Sequence, residues 1–143
     1  MPNWCQSKLK IKSHLGIEES LIDFSKWLGK NQSLSLEKIL PTSGIANKTA
    51  WRQEHWGVKY DINRHECFVS QSVDSIEIKF ITAWVPPLRG LVALSQRFPE
   101  LTFELEFSEP KMNLSGSVKI KRGELGDIRD YGRVGLTGLI KLK

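Results

Sequence analysis

The residues able to do covalent or metal chemistry are few: three histidines, two cysteines and scattered carboxylates. His65-Glu66-Cys67 places three potential ligands side by side, but a zinc site needs a second ligand pair at defined spacing, and none follows. His14, His55 and His65 fall in three separate segments. Cys67 with His55 is a conceivable nucleophile and base; the competing reading is that Cys67 is a buried thiol on a strand. Cys5 and Cys67 are too few for a disulfide framework, so reduced thiols are expected. Gly123, Gly126, Gly132, Gly135 and Gly138 are irregularly spaced and join no strand to a helix, which argues against a phosphate-cradling loop. They are expected to mark turns around 136–142, a last strand or strapping tail. The chain therefore reads as a non-enzyme with no metal and no cofactor.

Recognition chemistry is better represented. Trp51, Arg52, Trp56 and Lys59 lie within nine residues, where indole rings and cations are available for cation–π contact and for an interface hot spot. The same tryptophans would equally serve as staples that fix their segment to the domain. A second candidate surface is basic. Residues 1–110 carry 13 Lys and Arg against 13 Asp and Glu, whereas residues 111–143 carry eight against three, so the net charge of +5 belongs wholly to the C-terminal extension. Arg122, Arg129 and Arg133 are its candidate contacts for a nucleic-acid backbone or an acidic protein. In the structural alternative, Arg129 or Arg133 pairs with Glu124, Asp127 or Asp130 inside the tail.

The elements that must position these residues follow from periodicity. Over residues 7–13, Leu9 and Ile11 alternate with three lysines as in a half-buried strand. Over 17–28, Ile17, Leu21, Phe24 and Leu28 share a helical face, with Gly29 as the stop. Strands are predicted over 66–71 and 75–82, a helix from Pro86-Pro87 to Pro99, and strands over 101–107 and 115–121. The order β-α-β-β-α-β plus one strand is the split βαβ pattern of a ferredoxin-like α+β sandwich, mainly antiparallel, with two helices on one face.

Opposite charges should meet across strands on the exposed face. Sheet order 2-3-1-4-5 satisfies this, because Lys8, Lys10 and Lys12 then lie between Glu77 and the pair Glu104/Glu106, with Lys119 and Lys121 beyond. RNA-recognition modules of this topology stack bases on aromatic residues of the open face. Here the central positions hold Lys and Glu and the strand aromatics face the helices, which disfavours that use. Trp4 and Trp84 are expected to close the core at the sheet ends. Residues 30–64 form an insertion after the first helix, with a short strand over 34–40 and a helical turn over 50–56 that presents Trp51 and Trp56.

At 143 residues the chain is the size of one domain spanning 1–143. It has no apolar run of the roughly 20 residues that span a bilayer and no leader pattern at its start. No membrane and a cytoplasmic setting are expected; the oligomeric state is left open.

Met1-Pro2-Asn3-Trp4-Cys5, the segment Trp51-Arg52-Gln53-Glu54-His55-Trp56-Gly57-Val58-Lys59-Tyr60-Asp61, and Thr82-Ala83-Trp84-Val85-Pro86-Pro87 together resemble a family of small plasmid- and phage-encoded ferredoxin-like proteins, the YubB-like group. Tyr60 stands where the family pattern leads one to expect another Trp. The resemblance implies a mobile genetic element and assigns no residue a role. By lineage it implies a non-enzymatic interaction protein that binds a host protein or complex, for example an anti-CRISPR-like inhibitor of host defence. The alternative is a nucleic-acid-binding accessory protein that uses the basic C-terminal segment, in keeping with a pI near 9.3.

Overall fold

In the computed structural model of the chain, which describes residues 3–13 and 18–135, the first strand begins three residues before Ser7. β1 spans Trp4–Ser13; Cys5, Ser7, Leu9 and Ile11 are buried, while Trp4, Gln6, Lys8, Lys10 and Lys12 take the opposite face. α1 (Glu18–Leu28) buries Leu21, Phe24 and Leu28 on one side. It stops at Gly29, whose φ of +87° suits a residue without Cβ. The predicted first helical residue, Ile17, lies outside the described residues, as do His14 and the predicted last strand over 136–142.

β2 (Phe68–Gln71) and β3 (Ser75–Ala83) form the next hairpin. β2 is shorter than its sequence pattern: residues 64–66 form a 3₁₀ turn instead, because Asn63 Oδ1 accepts from His65 N and closes it. α4 (Leu88–Arg97) follows Pro87, and β4 (Leu101–Glu109) and β5 (Leu114–Lys121) complete the expected set. A sixth strand, β6 (Glu124–Asp130), extends the sheet beyond the expectation, giving the antiparallel order β2-β3-β1-β4-β5-β6. Its sequence carries no apolar alternation. It pairs because Arg122 and Gly123, at φ +52° and +80°, make a two-residue turn of the kind that folds β5 back on itself.

The register bears out the charge ladder at its centre. Lys10 sits opposite Glu77 on one side and Glu104 on the other, and Glu104 is in turn opposite Lys119. Lys12 approaches Glu104 at 4.0 Å. The alternation fails one step away, where Lys8 faces Lys79 as well as Glu106.

The other face carries the core. Leu9, Ile11, Ile76, Ile78, Phe80, Phe103, Leu105 and Phe107 are all buried, as expected, each contributing about 1.5–3 kcal/mol by burial. Phe24 packs edge-on against Phe98 and Phe103. In the insertion the predicted strand over 34–40 is a short helix, α2 (Leu36–Ile39). Ser35 caps it by accepting from Lys38 N, and Asp61 accepts from Leu36 N at 2.7 Å and Glu37 N at 3.1 Å, so helical amides find partners that a strand would leave unmatched. α3 (Lys48–His55) realises the predicted turn, capped by Asn47.

Candidate functional site

Around α3 the insertion's aromatic and basic residues are brought together, and Trp56 and Arg52 are used internally. Trp56 is wholly buried, donates from Nε1 to Leu40 O at 3.0 Å, and its carbonyl accepts from Gly90 N at 3.1 Å. Gly57, at φ +88°, lets the chain turn close against the first turn of α4. The Arg52 guanidinium lies 5.2 Å from the Trp56 ring, an intramolecular cation–π contact. Trp51 is half-buried, stacked on His55 at 4.2 Å and edge-on to Trp56 at 6.5 Å. Lys59 is exposed. Trp56 is thus a staple, the structural alternative, which corrects its place among the partner-binding candidates, while Trp51 is partly exposed as expected of one of the pair. A further cation–π cluster that sequence reading missed lies on Trp27, with Lys38 and Arg97 over its ring at 5.0 and 5.8 Å.

The three arginines do not form one surface. Arg122 sits in the β5–β6 turn with Nε donating to Pro99 O at 3.2 Å. Arg129 pairs in register with Ser117 on the helix-free face, and Arg133 is exposed beyond β6. Within this region Lys119 pairs with Asp127 at 3.5 Å.

The thiol and imidazole candidates diverge. His55 holds Nδ1 against Trp51 O at 3.0 Å, and the described residues show no hydrogen bond between it and buried Cys67. His65 and Glu66 are exposed while Cys67 points inward. Burial pushes the Cys5 thiol up to about 12, so little of it is thiolate at neutral pH. Among the described residues no three His, Cys, Asp or Glu are grouped to hold a metal, and no helix is long and apolar enough to cross a membrane.

The concave surface lies instead on the helix-free face. A cavity of about 890 Å³ has Gln6, Lys8, Lys79 and Glu106 on its floor, with Phe68 at the β2 edge and Tyr131 just past β6. Phe68 and Tyr131 are each 66% exposed. Tyr131 is fixed by its amide donating to Ser115 O and by a 3.4 Å contact of its hydroxyl with Ser117 Oγ. Lys8 closes no ion pair among the described residues, although Lys79 reaches Glu77 at 3.9 Å. A second cavity of about 320 Å³, sharing Glu66 and Ile81 with the first, is lined by Trp4 and Tyr60.

Trp4 is 46% and Trp84 42% exposed, which corrects their expected burial in the core. Trp4 opposes Ala83 on the helix-free face, so the view that every aromatic residue of the central strands faces the helices also fails. Trp84 occupies φ +70°, a strained conformation for a large residue, in a turn closed by Val85 N to Ala83 O at 2.9 Å. The signal for Trp4 was present in the sequence, since Cys5 and Ser7 continue the inward parity of Leu9. Phe68 and Tyr131 had no such signal, because their place depends on where β2 starts and on β6.

Residues 55–132, more than half of the chain, match the family described as the ferredoxin-like domain in Api92-like protein. The chain is 30% identical over 90 residues to the uncharacterized protein YubB of Escherichia coli strain K12, a match that spans 60% of this chain and 59% of that relative. The crystal structure of protein api92 from Yersinia pseudotuberculosis superposes with a TM-score of 0.58 at 18% identity, over 68% of this chain and 39% of that one, and shares the fold. The chain belongs to the Api92-like ferredoxin-like family.

Proposed function

We propose that this member of the Api92-like ferredoxin-like family is a non-enzymatic interaction protein whose binding surface is the helix-free face of its sheet, and that the partner is a protein. The observation that carries this reading is the placement of the aromatic residues. Of the five exposed aromatic side chains among the described residues, four line the two adjoining cavities on that face: Trp4, Tyr60, Phe68 and Tyr131. Concentrated exposed aromatic surface marks interaction sites, and Trp and Tyr are enriched at hot spots. Charges of both signs around the cavities, Lys8 and Lys79 against Glu66 and Glu106, favour a protein over a continuous polyanion. The family resemblance supports a mobile-element origin and, more narrowly, a host defence complex as the partner.

A photo-crosslinking amino acid placed at Phe68 or Tyr131 tests the reading in host lysate. The expected result is one protein adduct, resistant to nuclease, that is absent when the crosslinker replaces exposed Gln53 on α3 and whose identity decides the defence assignment. Adducts that vanish with nuclease, or that form equally at Gln53, overturn it; the first outcome would favour the nucleic-acid alternative.

A further inference from the structure

We propose that the smaller cavity receives a cationic side chain, an arginine in preference to a lysine, from the partner protein; the inference rests on the helix-free face being the interface. Two aromatic residues line it, Trp4 at 46% and Tyr60 at 56% exposure, and the negative π-face of an aromatic ring attracts a cation. Glu66 stands at the boundary with the larger cavity, exposed and without an ion pair among the described residues. Asp61 adds a second acidic group to the wall. Its two oxygens accept from Leu36 N and Ile62 N at 2.7 Å and from Ser35 Oγ and Glu37 N at 3.1 Å, which fixes it in place. Among the described residues no lysine or arginine lines this cavity. Aromatic faces beside unpaired carboxylate define a site for a cation, and a planar guanidinium also stacks where an ammonium cannot.

The platform is held before any ligand arrives. Trp4 is locked in register opposite Ala83, and the preceding residue is tied by Trp84 N donating to Asn3 O at 2.7 Å. Tyr60 immediately precedes the four-bonded Asp61. A preorganised pocket loses little ordering entropy on binding. Across the Glu66–Ile81 boundary the larger cavity offers Lys8 and Lys79. The two subsites are thus complementary to a partner segment that carries a basic side chain beside an acidic one, a combination a nucleic acid does not possess.

The test is an NMR titration of the ¹⁵N-labelled protein with three blocked tripeptides, Ac-Gly-Arg-Gly-NH₂, its citrulline counterpart and Ac-Gly-Glu-Gly-NH₂. The arginine peptide should shift the Trp4 indole N–H and the Tyr60 amide saturably, and citrulline, which keeps the shape and loses the charge, should bind at least tenfold more weakly. Trp4→Leu and Tyr60→Leu should each weaken the arginine peptide at least fivefold, while the core amides of β3 and β4 stay in place. Equal binding of citrulline, a Trp4 shift with the glutamate peptide, or no saturable shift at Trp4 overturns the inference. The interface reading is independent of these outcomes, because it stands or falls on the crosslinks at Phe68 and Tyr131.

Discussion

The α3 segment of the insertion and the helix-free face are built from the same residue types and put them to opposite uses. Around α3, indole rings meet a guanidinium and a histidine inside the protein, so Trp56 is buried with its N–H bonded and Arg52 lies over its ring. On the helix-free face Trp4 and Tyr60 stay exposed beside Asp61 and Glu66, and Phe68 stays exposed in a cavity shared with Lys8, Lys79 and Glu106. Trp and Arg next to each other in sequence therefore do not by themselves mark a binding surface. What separates the two regions is whether the polar atoms and π-faces already have partners within the chain.

The largest effect expected from this contrast is on stability. Trp56→Ala empties a fully buried site and should cost about 3–5 kcal/mol, with the insertion loosening as Leu40 O loses its indole N–H donor. Trp4→Ala, at a residue 46% exposed, should cost well under half of that. Urea denaturation of both variants decides it: equal costs, or a larger cost at Trp4, would erase the distinction between staple and surface.

Next in size is the charge ladder, which separates neighbouring lysines on the same strand. Lys10→Glu sets a carboxylate between Glu77 and Glu104 and should destabilise by about 1–2 kcal/mol, from two cross-strand pairs of roughly 0.2–1 kcal/mol each turned repulsive. Lys8→Glu exchanges a like-charge neighbour, Lys79, for an opposite one while reversing the sign against Glu106, so its net effect should be near zero. Matching losses for the two variants would mean that the register has no energetic consequence.

That ladder also shows why part of the fold could be read in advance. Leu9, Ile11, Ile76, Ile78, Phe103 and Leu105 alternate with charges that, around Lys10, meet opposite signs on both flanking strands, so there local pattern and cross-strand chemistry agree. The short helix α2 was not legible because Leu34-Ser35-Leu36 alternates like a strand, and the deciding groups come from Asp61, some 25 residues away. β6 was hidden because nearly all of it is exposed, leaving no apolar periodicity to detect. The site was the least legible part. Trp4, Tyr60, Phe68 and Tyr131 come from four separate segments and converge only once the sheet exists.

A smaller, pH-dependent effect distinguishes the insertion, which is tied by polar groups, from the sheet. Glu37 accepts from Thr42 N at 2.8 Å and from Thr42 Oγ1, and these bonds, with the nearby Arg52 and Lys48 charges, hold its carboxyl below the usual range. A carboxyl depressed by folding stabilises the protein above its unfolded pKa, and the contribution is lost as pH falls through the folded value. Glu37→Gln should therefore lower Tm at neutral pH, by the equivalent of about 1 kcal/mol, and the gap from the parent protein should close in acid. A gap that stays constant or widens on acidification would show that the Thr42 contacts do not carry the insertion's stability.

The smallest stability changes are expected at the arginines, where the comparison bears on binding instead. Arg122→Gln, Arg129→Gln and Arg133→Gln should each alter stability by no more than about 0.5 kcal/mol, as surface charges usually do. Their binding effects should be unequal. Arg129 shares the helix-free face with Ser117 and Tyr131, whereas Arg122 is tethered to Pro99 at one end of the β5–β6 ribbon and Arg133 lies beyond its other end. Eight residues of β5 separate those ends by roughly 25 Å at the rise of a strand, several times the Debye length of about 8 Å at physiological salt. One ligand group cannot feel both. With the crosslinker at Phe68, adduct yield should fall for Arg129→Gln and hold for the other two. An equal fall for all three would mean that the partner reads the basic extension as a continuous surface, and that the charge excess, not the aromatic face, sets the interface.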